Sequence, residues 1–261
     1  MRVGDLEVLP VRDGAAVMPA ADAFAGTTDE MWAAHRQFLN EDGLLELELG
    51  GFLVRAADRV VLVDAGVGRS IPPFEGGRLL DSLAAHGVSP DEVTDVVFTH
   101  LHFDHVGWAT RQGAIVFPKA TYRCDERDWA HFVGPDPGAT RKLSPLRGKL
   151  ETWNGGGPLL PGIDVLAAPG HTPGSTVIVL SSGADRALLL GDVVHCPVQL
   201  VDDEWAIMGD VDPELARRTR NQLAAELEGS GTLATGAHFT GMRFGRLLPG
   251  RGHRYWSTAG I

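Results

Sequence analysis

Three histidines and one aspartate fall within six residues in the stretch Thr99-His100-Leu101-His102-Phe103-Asp104-His105. Imidazole and carboxylate are the usual ligands of zinc and its first-row neighbours. Four such groups packed this closely point to a metal site rather than to a solvated polar loop. More candidates follow: His171 in Pro169-Gly170-His171-Thr172-Pro173-Gly174-Ser175, Asp192 in Gly191-Asp192, and His238 in Gly236-Ala237-His238. Five of the ten histidines stand in these positions. Seven ligands are too many for one tetrahedral zinc and suit two ions that share a carboxylate.

Something must bring these groups to one place, and the hydrophobic pattern says what. Val96-Val97-Phe98 reads as a buried strand that ends just before His100. A strand turns its side chains to alternate faces, so several can converge only on the irregular backbone beyond its end. The other candidates stand at strand ends too. Ile163 to Ala168 leads to His171, Ala187 to Leu190 to Asp192, and Thr232-Leu233-Ala234 to His238. Val60-Val61-Leu62-Val63 ends at Asp64, which is placed to accept an N–H from a ligating imidazole.

The remaining pattern alternates strands and helices. Leu6 to Val11, Leu45 to Val54 and Thr176 to Leu180 read as strands; Leu79 to Ala84 and Asp125 to Phe132 read as helices. Ser89-Pro90-Asp91-Glu92 carries the residues of a capping box. Asp212-Pro213-Glu214 opens a helix with Leu215, Thr219, Leu223 and Leu227 on one face. Residues 134–160, rich in Gly, Pro and Arg, read as a surface loop. Between Pro19 and Asn40, the spacing of Met31, His35, Phe38 and Leu39 predicts an amphipathic helix. Residues 19–43 are therefore a candidate cap over the metal pocket. No linker divides the chain, so residues 1–261 are read as one domain.

Formal net charge is −11, which argues against a nucleic-acid or anionic-membrane surface. With two cysteines, Cys124 and Cys196, no disulfide framework is implied. The N-terminus lacks the apolar core of a signal peptide, and no apolar run approaches the length of a membrane span. These features lead to the expectation of a soluble, cytoplasmic protein. Homodimer formation is left open.

The His-x-His-x-Asp-His run, the Pro-Gly-His-Thr-Pro-Gly-Ser loop, the Gly-Asp strand end and the late Gly-x-His together resemble the metallo-β-lactamase superfamily. The resemblance extends from Leu49 to His238. It implies an α/β four-layer αβ/βα sandwich, two packed mixed sheets with helices outside. By position, His100, His102 and His171 would hold one ion, Asp104, His105 and His238 the other, and Asp192 would bridge. Two zinc ions per chain are implied, with manganese and iron also compatible. Within the superfamily the chain looks most like the lactonase and organophosphate-hydrolase branch. Quorum-quenching lactonases place a tyrosine three residues after the bridging aspartate; here that position is His195.

The chemistry so implied is hydrolysis of a lactone or carboxylic ester by a metal-bridging hydroxide. Asp104 and His195 are the candidate proton-transfer and substrate-binding groups. Phosphotriester and β-lactam hydrolysis are the alternatives, and a non-catalytic metal-binding scaffold is the rival of another class. Phe103, Trp108, Trp205, Met208 and Phe239, with Phe244, are the candidate walls of a substrate pocket.

Overall fold

A computed structural model describes residues 1–24 and 26–258 of the chain. The first sheet runs in chain order: β1 (Arg2–Val3), β2 (Leu6–Met18), β3 (Leu45–Ala56), β4 (Arg59–Val63), β5 (Asp95–Val97), β6 (Thr121–Asp125) and β7 (Leu150–Trp153). Neighbours are antiparallel up to β4 and parallel from β4 to β7. The second sheet contains β8 (Gly157–Leu160), β9 (Ile163–Ala167), β10 (Thr176–Ser182), β11 (Asp185–Leu189) and β12 (Leu233–Thr235). Its first three pairings are antiparallel and the last, β11 with β12, is parallel.

Among the described residues seven α-helices accompany the sheets: α1 (Ala20–Ala23), α2 (Asp29–Ala33), α3 (Leu79–Ala85), α4 (Glu126–Phe132), α5 (Pro137–Leu143), α6 (Val198–Val201) and α7 (Pro213–Leu227). The two-residue period of the strands explains the layers. On β4, Val61 and Val63 enter a core shared with Ile163, Ile178 and Leu189 of the second sheet. Leu62, between them, faces the opposite way, against Leu79 and Leu83 of α3. Val177, Val179 and Leu188 of the second sheet turn outward onto Leu223, Ala224 and Leu227 of α7. The result is helix, sheet, sheet, helix, the four-layer αβ/βα sandwich that the resemblance implies.

Three stretches differ from the sequence reading. Strand β2 continues past Val11 to Met18, because a register shift between Arg12 and Gly14 bends it without ending its pairing with β3. Residues 134–160 are not a loop. Asp136 caps α5 through Gly138 N and Ala139 N, with Pro137 at the first helical position, and Leu143 and Leu146 are buried. Strands β7 and β8 follow directly.

The third difference lies in the segment 19–43. The amphipathic helix expected through Met31, His35, Phe38 and Leu39 stops at Ala33, and His35 has left helical geometry at φ −123°. Met31 faces solvent, and its neighbour Trp32 is buried instead. The Trp32 ring lies 4.6 Å from Trp205 and 5.5 Å from Phe24, both edge-on. The segment is thus fastened to residues 205–208, where Met208 N also donates to Ala23 O at 2.9 Å. Among the described residues no helix is long and apolar enough to cross a membrane.

Candidate metal centre

The seven ligand candidates come from four strand ends and meet at one edge of the sandwich. Beyond β5, Thr99 N and Oγ1 donate to Asp64 Oδ1 and Oδ2, each at 2.8 Å. Asp64 sits at the end of β4 with φ 60°, a left-handed conformation that aspartate tolerates better than most residues. Its Oδ2 also accepts from His105 Nδ1 at 2.9 Å. The carboxylate therefore anchors both ends of the His-x-His-x-Asp-His loop. Gly191, just before Asp192, has φ 51°, and a Cβ there would lie 2.8 Å from Thr99 Cβ. Only glycine lets the β11 end approach the histidine loop so closely.

The ligand atoms form two groups, each within 4.8 Å. In the first, His102 Nδ1 lies 3.0 Å from His100 Nε2 and 2.9 Å from His171 Nε2. Asp192 Oδ2 lies 3.6 Å and 3.4 Å from the same two Nε2 atoms. In the second, His105 Nε2 and His238 Nε2 are 3.3 Å apart. Asp192 Oδ1 is 3.0 Å and 3.1 Å from them, and Asp104 Oδ2 is 3.8 Å and 3.5 Å from them. Tetrahedral zinc with bonds of about 2.0 to 2.1 Å sets its donors roughly 3.3 Å apart. Both groups fit that spacing.

Asp192 Oδ1 is buried and accepts no hydrogen bond. An orphaned buried carboxylate oxygen is costly unless a cation faces it. Charge on the histidines tells the same story. Burial holds His100 well below the ordinary imidazole range and takes His102 down to about 4. Burial also opposes charge on His105 and His171, but carboxylates outweigh it. Asp192, Asp64 and Asp104 hold His105 well above its usual value, and Asp192 and Asp210 carry His171 up to about 9. Without metal, protons on these rings supply the positive charge that Asp192 requires.

Three of the ligand rings, His105, His171 and His238, have their second nitrogen held from outside the ligand set. His171 Nδ1 donates to Asp210 Oδ1 at 2.8 Å, and His238 Nδ1 donates to the Glu48 carbonyl oxygen at 2.7 Å. Such bonds fix the ring and its tautomer. Buried Asp128 ties two ligand loops together. Its Oδ2 accepts from Leu101 N and Thr172 Oγ1, both at 3.0 Å, and its Oδ1 accepts from Gly174 N at 2.6 Å. Asp13 anchors a third loop: its Oδ2 accepts from Gly68 N, and its Oδ1 from Gly77 N, Leu79 N and Trp108 Nε1. Asp13, Asp128 and Asp210 carried no signal in the sequence, since their partners lie 27 to 95 residues away.

His195 lies between the two ligand groups. Its Nε2 is 3.0 Å from Asp192 Oδ2, and its ring stacks on His238 with centroids 5.3 Å apart and planes 9° apart. Burial lowers its pKa to about 4, so the ring is neutral at physiological pH. Cys196 next to it is buried, and burial pushes its thiol up to about 12, the behaviour of a packing residue.

A cavity of about 780 Å³ opens beside the first group, with His102, Phe103 and Trp108 on its wall. Phe103 is half exposed, its ring edge-on to Phe74 at 5.2 Å. The other pocket candidates are elsewhere. Phe239 points away from His238 into the core under α7, where its ring meets Trp256. Trp205 belongs to the cluster with Phe24 and Trp32, and Phe244 packs between the sheets against Phe52. Met208 is exposed and does not line the cavity.

Fold and site together define an αβ/βα sandwich with two His/Asp clusters that could hold metal at one edge. The description Metallo-beta-lactamase superfamily matches residues 51–228, and the chain belongs to that superfamily. The mouse Metallo-beta-lactamase domain-containing protein 1 is 33% identical over 168 residues, covering 62% of this chain and 54% of the relative. The chain spans about half the length of that protein and of its human counterpart. An N-acyl homoserine lactonase of Bacillus thuringiensis is 25% identical over 194 residues, covering 66% of this chain and 74% of the relative. Among solved structures, the dizinc quorum-quenching lactonase AidC superposes with TM-score 0.90 at 23% identity, covering 100% of this chain and 97% of that one. The hydrolase AbOPH superposes with TM-score 0.88 at 24% identity and the same coverage.

Proposed function

We propose that the chain is a dinuclear metallohydrolase that opens a lactone or cleaves a carboxylic ester. The observation that carries this reading is Asp192, which lies between the donor groups, with Oδ2 toward His100, His171 and His238 and Oδ1, buried without a hydrogen bond, toward His105 and His238. His100, His102 and His171 would hold one divalent cation, Asp104, His105 and His238 the other, and Asp192 both. Zinc is the best match to a set rich in imidazole. Bound there, the cations supply an activated water at neutral pH and polarise the carbonyl under attack.

The chain's own groups do the rest. Asp64, Asp210 and the Glu48 carbonyl hold the rings of His105, His171 and His238 in place. Among the described residues none donates a hydrogen bond that would hold the Asp104 carboxylate elsewhere. Asp104 takes the proton released during attack and returns it to the leaving oxygen. His195 is neutral, with Nε2 at the edge of Asp192, and donates to the substrate oxygen. The cavity beside His102 and Phe103 receives the rest of the substrate. The N-acyl homoserine lactonase among the relatives supports the choice of a carbonyl electrophile.

The test is kcat/KM of the zinc-loaded protein over matched lactone, aryl ester, phosphotriester and β-lactam substrates, with metal content measured in parallel. The lactone or ester should lead. A lead of tenfold or more for the β-lactam or the phosphotriester, about 1.4 kcal/mol in the barrier, would refute the substrate class. A protein with two bound ions and no turnover would be a scaffold.

A further inference from the structure

The cavity beside His102 has a charge pattern opposite to that of the chain. Arg69, Arg111, Arg141 and Lys142 stand on its wall, and Asp136 is the one carboxylate among the lining residues. The sequence holds 34 acidic against 23 basic residues, so composition alone would not gather four cations around one acid. Asp136 offsets at most one of the four charges, and its Oδ1 caps α5 through Gly138 N at 2.6 Å and Ala139 N at 3.1 Å. No carboxylate among the described residues pairs with Arg69, Arg111 or Arg141.

Two of the cations, Lys142 and Arg111, are also held in place. Lys142 Nζ donates to the Gly107 carbonyl oxygen and, at 2.7 Å, to that of Thr110, bracing the wall from behind. The Arg111 guanidinium lies 5.5 Å from the centre of the Trp108 ring. It projects from a hairpin of Thr110–Arg111 and Ala114–Ile115. The two-residue turn, Gln112 (φ 51°) and Gly113 (φ 80°), has the tight geometry that matches strand twist. Apolar side chains share the wall with them. Phe132 meets the His102 ring edge-on at 5.3 Å, and Ile71, Phe103 and Val106 line the same space.

We propose that this cavity selects a substrate whose far end is a carboxylate, and this rests on the hydrolase reading above. The scissile ester or lactone lies at the metal ligands, an apolar chain crosses Phe103 and Phe132, and the terminal carboxylate pairs with the guanidinium groups. Arginine suits that task because its planar fork matches a carboxylate in two bonds. In a chain of charge −11 an anion is repelled everywhere except where cations focus the field. A neutral acyl chain would need no such wall.

The test compares two aryl esters of suberic acid on the zinc-loaded protein: the para-nitrophenyl half-ester with a free carboxylate, and its methyl-capped, neutral analogue. The half-ester should have a kcat/KM higher by about tenfold or more at low ionic strength, and the gap should narrow as salt is added. The double variant Arg111→Gln with Arg141→Gln should bring the ratio of the two substrates close to one. Turnover of both esters at equal kcat/KM overturns the inference and leaves the hydrolase reading standing. If neither ester is turned over, the hydrolase reading fails. Calorimetric binding of suberate then decides the inference: uptake lost in the double variant supports it, and no uptake by the parent protein overturns it.

Discussion

Replacing Asp128 by alanine should damage both the fold and the metal site, although the residue touches no ligand. Its carboxylate accepts from Leu101 N, Thr172 Oγ1 and Gly174 N, so alanine strands three buried donors at once. The Thr172 hydroxyl can fall back on Ser175 Oγ, 2.8 Å away. The two backbone N–H groups have no such alternative. Each stranded N–H costs about 1 to 3 kcal/mol, so the pair costs about 2 to 6 kcal/mol. Removing a carboxylate whose pKa burial has raised returns part of this. A net loss of about 2 to 4 kcal/mol is expected, a large fraction of the 5 to 15 kcal/mol, roughly, that holds a domain folded. Leu101 stands between His100 and His102, so the same change should weaken zinc binding about 10- to 100-fold. Asp128→Asn keeps an acceptor for Leu101 and Thr172 but presents an amide N–H to Gly174 N, and should fall in between. Urea unfolding and competitive zinc titration measure the two effects. An alanine variant with the parent's unfolding free energy and zinc affinity would refute the reasoning.

Asp192→Ala should lose both ions, whereas His238→Ala should lose one; equal metal content in the two variants by elemental analysis would contradict a shared carboxylate. His195→Ala should lower kcat by about a hundredfold, within the range of general acid–base groups, while metal content stays at the parent level. Unchanged kinetics, or loss of metal, would remove His195 from the mechanism. Zinc affinity should rise with pH up to about 9. His171 is held protonated below that value in the metal-free protein, and a ligand must shed its proton to bind. His102, already neutral above about 4, adds nothing to that slope. Calorimetry in buffers of different ionisation enthalpy reads the protons released, and zinc uptake at neutral pH without proton release would be the contrary result.

The clustered ligand candidates were legible because they are local words in the sequence. His100, His102, Asp104 and His105 share one loop, and His171, Asp192 and His238 each follow a recognisable strand. The carboxylates that aim them were not, since Asp128 and Asp210 act across the fold on residues far away in the chain. Alternation read the strands well but could not foresee that β2 survives a register shift at Arg12. Helical periodicity misled at Met31, where a five-residue helix buries Trp32 against Trp205 instead. The aromatic residues were hardest to place. Chain proximity to a ligand says nothing about direction, and Phe239, adjacent to His238, turns its ring the other way.

The ligand candidates leave the ends of β5, β9, β11 and β12, so four come from the first sheet's loop and three from the second sheet. A cation held among them would therefore add a rivet to two layers that meet through apolar packing and a few hydrogen bonds, such as Thr176 N to the Thr99 carbonyl at 2.9 Å. Anything that binds the folded state alone adds RT ln(1 + [L]/Kd) to its stability, about 2.7 kcal/mol at a hundredfold excess over Kd. On the proposed reading, the supply of free metal would therefore set the stability of the fold as well as the state of the site.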